Sequence, residues 1–203
     1  MKCPDTVRQN IINAAKERFL HYGYGKTTIA ELARDCSMSP GNLYRYFQGK
    51  LDIAEEIARE SSDENLAVLR HVVRKAGLNA SEKLRTYLET ALKSTYDMLE
   101  EDPRVFEIAT TISQERPSFA NEQMAKERAL MAEVLSAGNS EGEFNIPDVV
   151  TAAEMIQCAT MKFRYPQLWS NLPYEELLRE LRGVTDLILR GVQCRHSRVS
   201  SVA

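Results

Sequence analysis

The chain has 203 residues, 43% of them apolar, and a formal net charge of −3. That is the composition of an ordinary globular protein with a real core, and no segment approaches the about 18 uninterrupted apolar residues of a membrane span. The charge is uneven: residues 1–50 carry +4 and residues 51–203 carry −7, so the basic head suits a polyanionic partner.

The N-terminal run MKCPDTVRQN leads into a polar helical pattern without the apolar stretch of a signal peptide, and a cytoplasmic location is expected. Val7, Ile11, Ile12, Ala15 and Phe19 then recur at helical spacing, and His21-Tyr22-Gly23 supplies a glycine stop. Thr28, with Glu31 three residues later, forms a capping box that starts a second helix at Ile29. Cys36-Ser37-Met38 breaks it, and Ser39 with Pro40 opens a third. Ile53, Ile57 and Leu66 mark a long polar helix from about Lys50 to Lys75. Asn79-x-x-Glu82 opens a fifth through Leu84, Leu88, Leu92 and Leu99. Asp102-Pro103 caps the next, and Pro117 starts one that runs to Gly138. After the polar turn SAGNSEGEFN, one helix is expected from Pro147-Asp148 to Pro166 and a last one from Pro173 to about Gln193. The strand-type alternation is essentially absent, so the expected fold is all-α with about nine helices. RHSRVSSVA, residues 195–203, reads as a loose tail.

Cys3, Cys36, Cys158 and Cys194 are far apart without Cys-x-x-Cys spacing and read as free thiols. His21, His71 and His196 are scattered, and Cys194 with His196 fits a frayed tail better than a shared ion; no metal or cofactor is expected. Ser/His/Asp and His/Glu groupings at catalytic spacing are missing, which argues against an enzyme on a helical scaffold.

Two short helices joined by a three-residue break form a helix-turn-helix, whose second helix enters the major groove of DNA. Pro40 and Gly41 lack long side chains and let the backbone approach base edges, and Asn42 can offer a bidentate amide to adenine. Leu43 and Phe47 face the core. Tyr44 and Tyr46 point away from it, with hydroxyls suited to phosphates, and Arg45 suits guanine or a phosphate. Ser39 caps this helix. Lys50 at the next helix start, and the exposed amides at Thr27-Thr28, offer further phosphate contacts.

The stretch GYGKTTIAELARDCSMSPGNLYRYFQGKLDI resembles the N-terminal domain of the TetR family of transcriptional repressors. The likeness covers roughly residues 5–60 and rests on Gly23, Thr27-Thr28, Leu32-Ala33, Leu43, Tyr44, Phe47 and Lys50. The chain departs from the family pattern at Cys36-Ser37, where Ala-Gly is common, and at Gly49, where Ser or Asn usually precedes the lysine. Glycine takes positive φ more readily than serine. The resemblance implies a helix-turn-helix domain over residues 1–50 and a helical effector and dimerisation domain over 51–203. It implies a homodimer on a palindromic operator in double-stranded DNA, released by a small-molecule effector. Its dimer interface would lie on the last two long helices, where Leu177, Leu181, Val184 and Ile188 form a 4-3-4 seam that an intrachain core would equally explain. Candidate effector-pocket residues are Tyr87, Met98, Phe106, Thr110, Gln114, Phe119, Met124, Met155, Cys158 and Met161. The alternatives are a constitutive regulator of the same fold, or a thiol-responsive one using Cys36 or Cys158.

Overall fold

The computed structural model describes residues 4–165 and 172–193; the expected tail, Cys3, Cys194, His196 and the helix stop at Pro166 lie outside the described residues. Ten helices are present among the described residues. They are α1 (Pro4–Tyr22), α2 (Ile29–Asp35), α3 (Pro40–Leu43), α4 (Lys50–Arg74), α5 (Ala80–Glu101), α6 (Val105–Glu115), α7 (Pro117–Ser140), α8 (Val149–Ala159), α9 (Met161–Arg164) and α10 (Tyr174–Val192). The tenth arises because the helix expected over 147–166 breaks at Thr160, which takes φ −106° and ψ 8° and ends α8. Its hydroxyl donates to the Ile156 carbonyl at 2.8 Å, a back-bond that competes with the helix ladder. The turn expected over SAGNSEGEFN is shorter than the sequence suggests. α7 continues to Ser140 and ends in a Schellman motif, with Gly142 at φ +73° and the Glu143 amide donating to the Gly138 carbonyl at 2.9 Å.

The chain divides into two compact units that are not the expected segments 1–50 and 51–203. One comprises the residues up to Asn65 with Asp97–Met124, the other Leu66–Tyr96 with the chain from Ala125 on. The first unit has its own core: Ile11, Ile12, Ala15 and Phe19 of α1, Leu32 and Ala33 of α2, Leu43, Phe47, and Ile53, Ala54 and Ile57 of α4. Ile108 and Ile112 of α6 and Phe119 of α7 complete that core, so the helix-turn-helix is not packed by residues 1–50 alone.

The second unit buries Leu84, Leu88 and Leu92 of α5, Leu130, Met131, Val134 and Leu135 of α7, Ala153 and Ile156 of α8, and Leu177, Leu181 and Leu189 of α10. Its α5 has a fully partnered first turn. Asn79 and Glu82 form a reciprocal cap with both bonds at 2.9 Å, and the Glu143 carboxylate accepts from the Ala80 and Ser81 amides at 2.8 and 3.1 Å.

Candidate nucleic-acid interface

α2 starts as the sequence requires. Thr28 has extended backbone, its hydroxyl oxygen accepts from the Glu31 amide at 3.3 Å, and its own amide donates to the Glu31 carboxylate at 2.8 Å. The Thr28 hydroxyl donates to the same carboxylate at 2.8 Å, and these bonds, that of the hydroxyl foremost, hold the Glu31 carboxyl below the usual range. The Arg18 guanidinium grips Asp35 at the other end of α2, fastening this helix to α1.

The turn after α2 is a Schellman motif. The Met38 amide donates to the Ala33 carbonyl at 2.9 Å and the Ser37 amide to the Arg34 carbonyl at 3.0 Å. Ser37 therefore occupies the left-handed position, with φ +54°, where glycine is the unstrained choice. Met38 follows and packs, half-buried, against the first core. Ser39 then caps α3, its hydroxyl oxygen accepting from the Asn42 amide at 3.2 Å, with Pro40 at the first helical position.

α3 is one turn long. Beyond Leu43 the chain continues in tight turns, the Arg45 and Tyr46 amides donating to the carbonyls of Asn42 and Leu43 at 3.2 and 2.9 Å. Ser39, Pro40, Gly41, Tyr44 and Arg45 are exposed and Asn42 is half-buried. An added Cβ at Gly41 would meet nothing within 4 Å, so its bareness has no packing cause inside the chain.

Four expected contact groups are placed otherwise: the Thr28 amide is taken up by the Glu31 carboxylate, and Thr27, Tyr46 and Lys50 are turned to the chain's own groups. Thr27 is 2% exposed, its amide donating to the Tyr24 carbonyl at 3.2 Å and its hydroxyl to the Gly23 carbonyl at 3.0 Å, so both groups are used internally. Tyr46 does not point away from the core; it is half-buried and packs against it. The Lys50 ammonium donates to the carbonyls of Tyr24 at 2.7 Å and Thr27 at 2.9 Å and lies 4.2 Å from the centre of the Tyr24 ring. Burial lowers its pKa, with Glu107 opposing. These partners lie more than twenty residues away in the chain, and a lysine opening a helix gave no sign of them.

The expected effector residues do not form one cluster within either unit. Met98, Phe106, Thr110, Gln114, Phe119 and Met124 belong to the first unit, and Tyr87, Met155, Cys158 and Met161 to the second. Phe119 is buried in the first core, with the Arg59 guanidinium 4.7 Å from its ring centre. Gln114, Met155 and Cys158 are exposed. Tyr87 is buried in the second unit, its hydroxyl donating to the Glu127 carbonyl at 2.8 Å, and burial pushes its phenol well up. Near it lies a polar cluster that residue spacing does not reveal: Arg164 donates to the Thr95 hydroxyl at 3.0 Å and pairs with the Glu127 carboxylate.

The 4-3-4 seam on α10 is also an internal feature. Leu177 and Leu181 are 0% exposed in the second core, and Val184 and Ile188 pack partly buried against it, so this row is not a free interface. The large apolar residues that α8 and α10 do expose are Val150, Met155 and Leu187.

A capped helix, a Schellman turn and a one-turn helix whose bare N-terminal residues face solvent make a helix-turn-helix of the DNA-reading class. Residues 11–57 match the bacterial regulatory proteins of the tetR family, and residues 80–185 match the tetracyclin repressor-like C-terminal domain. The chain is 25% identical over 142 residues to the HTH-type transcriptional repressor KstR2 of Rhodococcus jostii RHA1, covering 68% of this chain and 67% of that protein. It is 30% identical over 66 residues to the HTH-type transcriptional regulator UidR of Escherichia coli K12, a match spanning 32% of this chain and 34% of UidR. A TetR-family regulator structure from Mesorhizobium loti superposes with a TM-score of 0.75 at 15% identity, covering 96% of this chain and all of that one. The chain belongs to the TetR family: it is a DNA-binding transcriptional regulator, not an enzyme. None of its described helices is long and apolar enough to cross a membrane.

Proposed function

We infer that this regulator is a repressor that binds a palindromic operator as a homodimer and leaves it when a small molecule binds. The observation that carries the DNA contact is the set of exposed Ser39, Pro40, Gly41, Tyr44 and Arg45 with half-buried Asn42, presented by a turn in which the amides from Asn42 to Tyr46 all bond within the turn. Asn42 and Arg45 read base edges; Tyr44, with the first-turn amides of α2 beside Thr28, meets phosphates. Thr27, Tyr46 and Lys50 support this surface from behind. DNA reading is thus assigned to residues 1–50, braced by α6, with effector binding and dimerisation assigned to residues 51–203.

Repression is supported by the likeness to KstR2, which is called a repressor. For dimerisation, the exposed Val150, Met155 and Leu187 on α8 and α10 replace the buried seam. Tyr87, Thr95, Glu127 and Arg164 give the effector site its polar anchors in the second unit. Control through the Cys36 thiol is the weaker reading, because burial and Asp35 raise its pKa and so disfavour the reactive thiolate, which leaves the exposed Cys158 as the candidate for a thiol-responsive regulator.

Random-site selection with the full chain tests this. A palindromic duplex should be enriched, and Arg45→Ala should lose about 1–3 kcal/mol of discrimination at one base pair per half-site. Failure to enrich any sequence would end the operator reading.

A further inference from the structure

The turn from Tyr24 to Thr27 connects α1 to the helix-turn-helix and ends at Thr28, the cap of α2. It is held from two sides. Lys50 donates to its carbonyls at Tyr24 and Thr27. Glu107, on the first turn of α6, accepts from the amides of Tyr24 at 3.2 Å and Gly25 at 2.9 Å, one carboxylate oxygen to each. Backbone and carboxylate meet so closely that an added Cβ at Gly23 or Gly25 would sit 3.3 Å from a Glu107 oxygen. A side chain at either position would crowd the carboxylate.

α6 grips the same region at two further points. One turn earlier than Glu107, Arg104 donates to the carbonyls of Leu20 and His21 at the end of α1, where a cation also meets the negative end of the helix dipole. At the far end of α6, Arg116 donates to Asp52 at 2.8 Å and to Glu55 at 3.1 Å in the first turns of α4. Asp52 in turn accepts from the Gln48 amide at 3.0 Å, just before α4 begins. Between these grips Ile108 and Ile112 are buried in the same core as Leu32 and Ala33 of α2 and Leu43 of α3. The helix-turn-helix is therefore oriented by a helix more than fifty residues beyond it in sequence.

An exposed carboxylate in a DNA-reading unit carries an electrostatic cost, since it repels the phosphate backbone. Its two backbone bonds give it a use that outweighs this. Resting on the operator reading above, we propose that Glu107 is a positioning residue for DNA recognition. It fixes the Tyr24–Thr27 turn, hence the direction of α2 and the presentation of α3, without touching DNA. The proposal and simple electrostatics differ in sign. Removing a negative charge should tighten binding to every duplex alike, whereas removing a positioning group should weaken binding only where register matters.

The test measures the affinity of full-length protein for the duplex enriched by wild-type selection and for a scrambled duplex of equal length. Wild type, Glu107→Ala and Glu107→Gln are compared at two salt concentrations. With Glu107→Ala, enriched-duplex binding should fall roughly tenfold from the loss of two charge-assisted hydrogen bonds. Scrambled-duplex binding should hold or tighten, and the salt slope should stay put. Glu107→Gln keeps one acceptor oxygen and should fall between wild type and alanine. If alanine does not fold by circular dichroism, the glutamine variant carries the test with the same selective loss. Parallel changes on both duplexes, or no change on either, would overturn the proposal while leaving the operator reading standing. Failure of wild type to enrich a duplex would remove both.

Discussion

Ser37 sits where family relatives commonly carry glycine, and its φ of +54° shows the cost of that choice. A left-handed backbone penalises a residue with a Cβ by about 1–2 kcal/mol, whereas glycine loses about 0.5–1 kcal/mol more entropy on folding. The difference favours glycine slightly. Ser37→Gly should therefore raise stability by up to about 1 kcal/mol, or a few degrees in melting temperature for a chain of this size. Ser37→Val, β-branched at the same angle, should lower it by more than about 1 kcal/mol. Thermal unfolding of the two variants decides the matter; a more stable valine variant would mean the turn is not left-handed in solution. The serine was legible as a departure because the Schellman motif imposes a φ that only some residues take comfortably. Lys50 was not legible in the same way. A lysine at a helix start looks identical whether its ammonium meets a phosphate or two carbonyls of its own chain.

Among the elements, starts and stops were the most readable. Thr28 with Glu31, Ser39 with Pro40, and Asp148 all cap the helices that follow them, because capping depends on residues within one turn. Which partner a buried face meets was not readable. The 4-3-4 row on α10 looked the same for an intrachain core as for a dimer seam, and Leu177 and Leu181 prove to be core. Similarly, nothing near Ile108 and Ile112 in the sequence tells that they complete the first core. The distinction gives a paired prediction. Leu181→Asp places an unpaired carboxylate in a fully buried site and should destabilise the fold by more than about 4 kcal/mol, leaving little native protein. Leu187→Asp alters a residue 69% exposed in the single chain and should leave the fold intact while yielding monomers in sedimentation. Folded dimers of Leu187→Asp at unchanged affinity would place the dimer contact elsewhere.

At the scale of the whole molecule, the division at residue 50 seen in charge is not the division seen in packing. α4, α5 and α7 each contribute residues to both compact units, so three of the described helices run from one unit into the other. α6 belongs wholly to the first unit and holds the head by Arg104, Glu107 and Arg116. In a dimer the two heads must enter major grooves about 34–36 Å apart, and a shift of a few ångströms costs both their register. A ligand that favours another arrangement of these helices thereby opposes operator binding, and linkage makes the opposition mutual. For a small molecule found by thermal-shift screening, calorimetry with and without the enriched duplex should give ligand affinities differing by about 5–150-fold, matched by the same factor in DNA affinity. Glu107→Ala should shrink that factor, because the head is then held less firmly by α6 in either state. Equal ligand affinity in the two titrations would show that this ligand is not the releasing effector, and a coupling unchanged in Glu107→Ala would show that the signal reaches the head by α4 without the Glu107 contact.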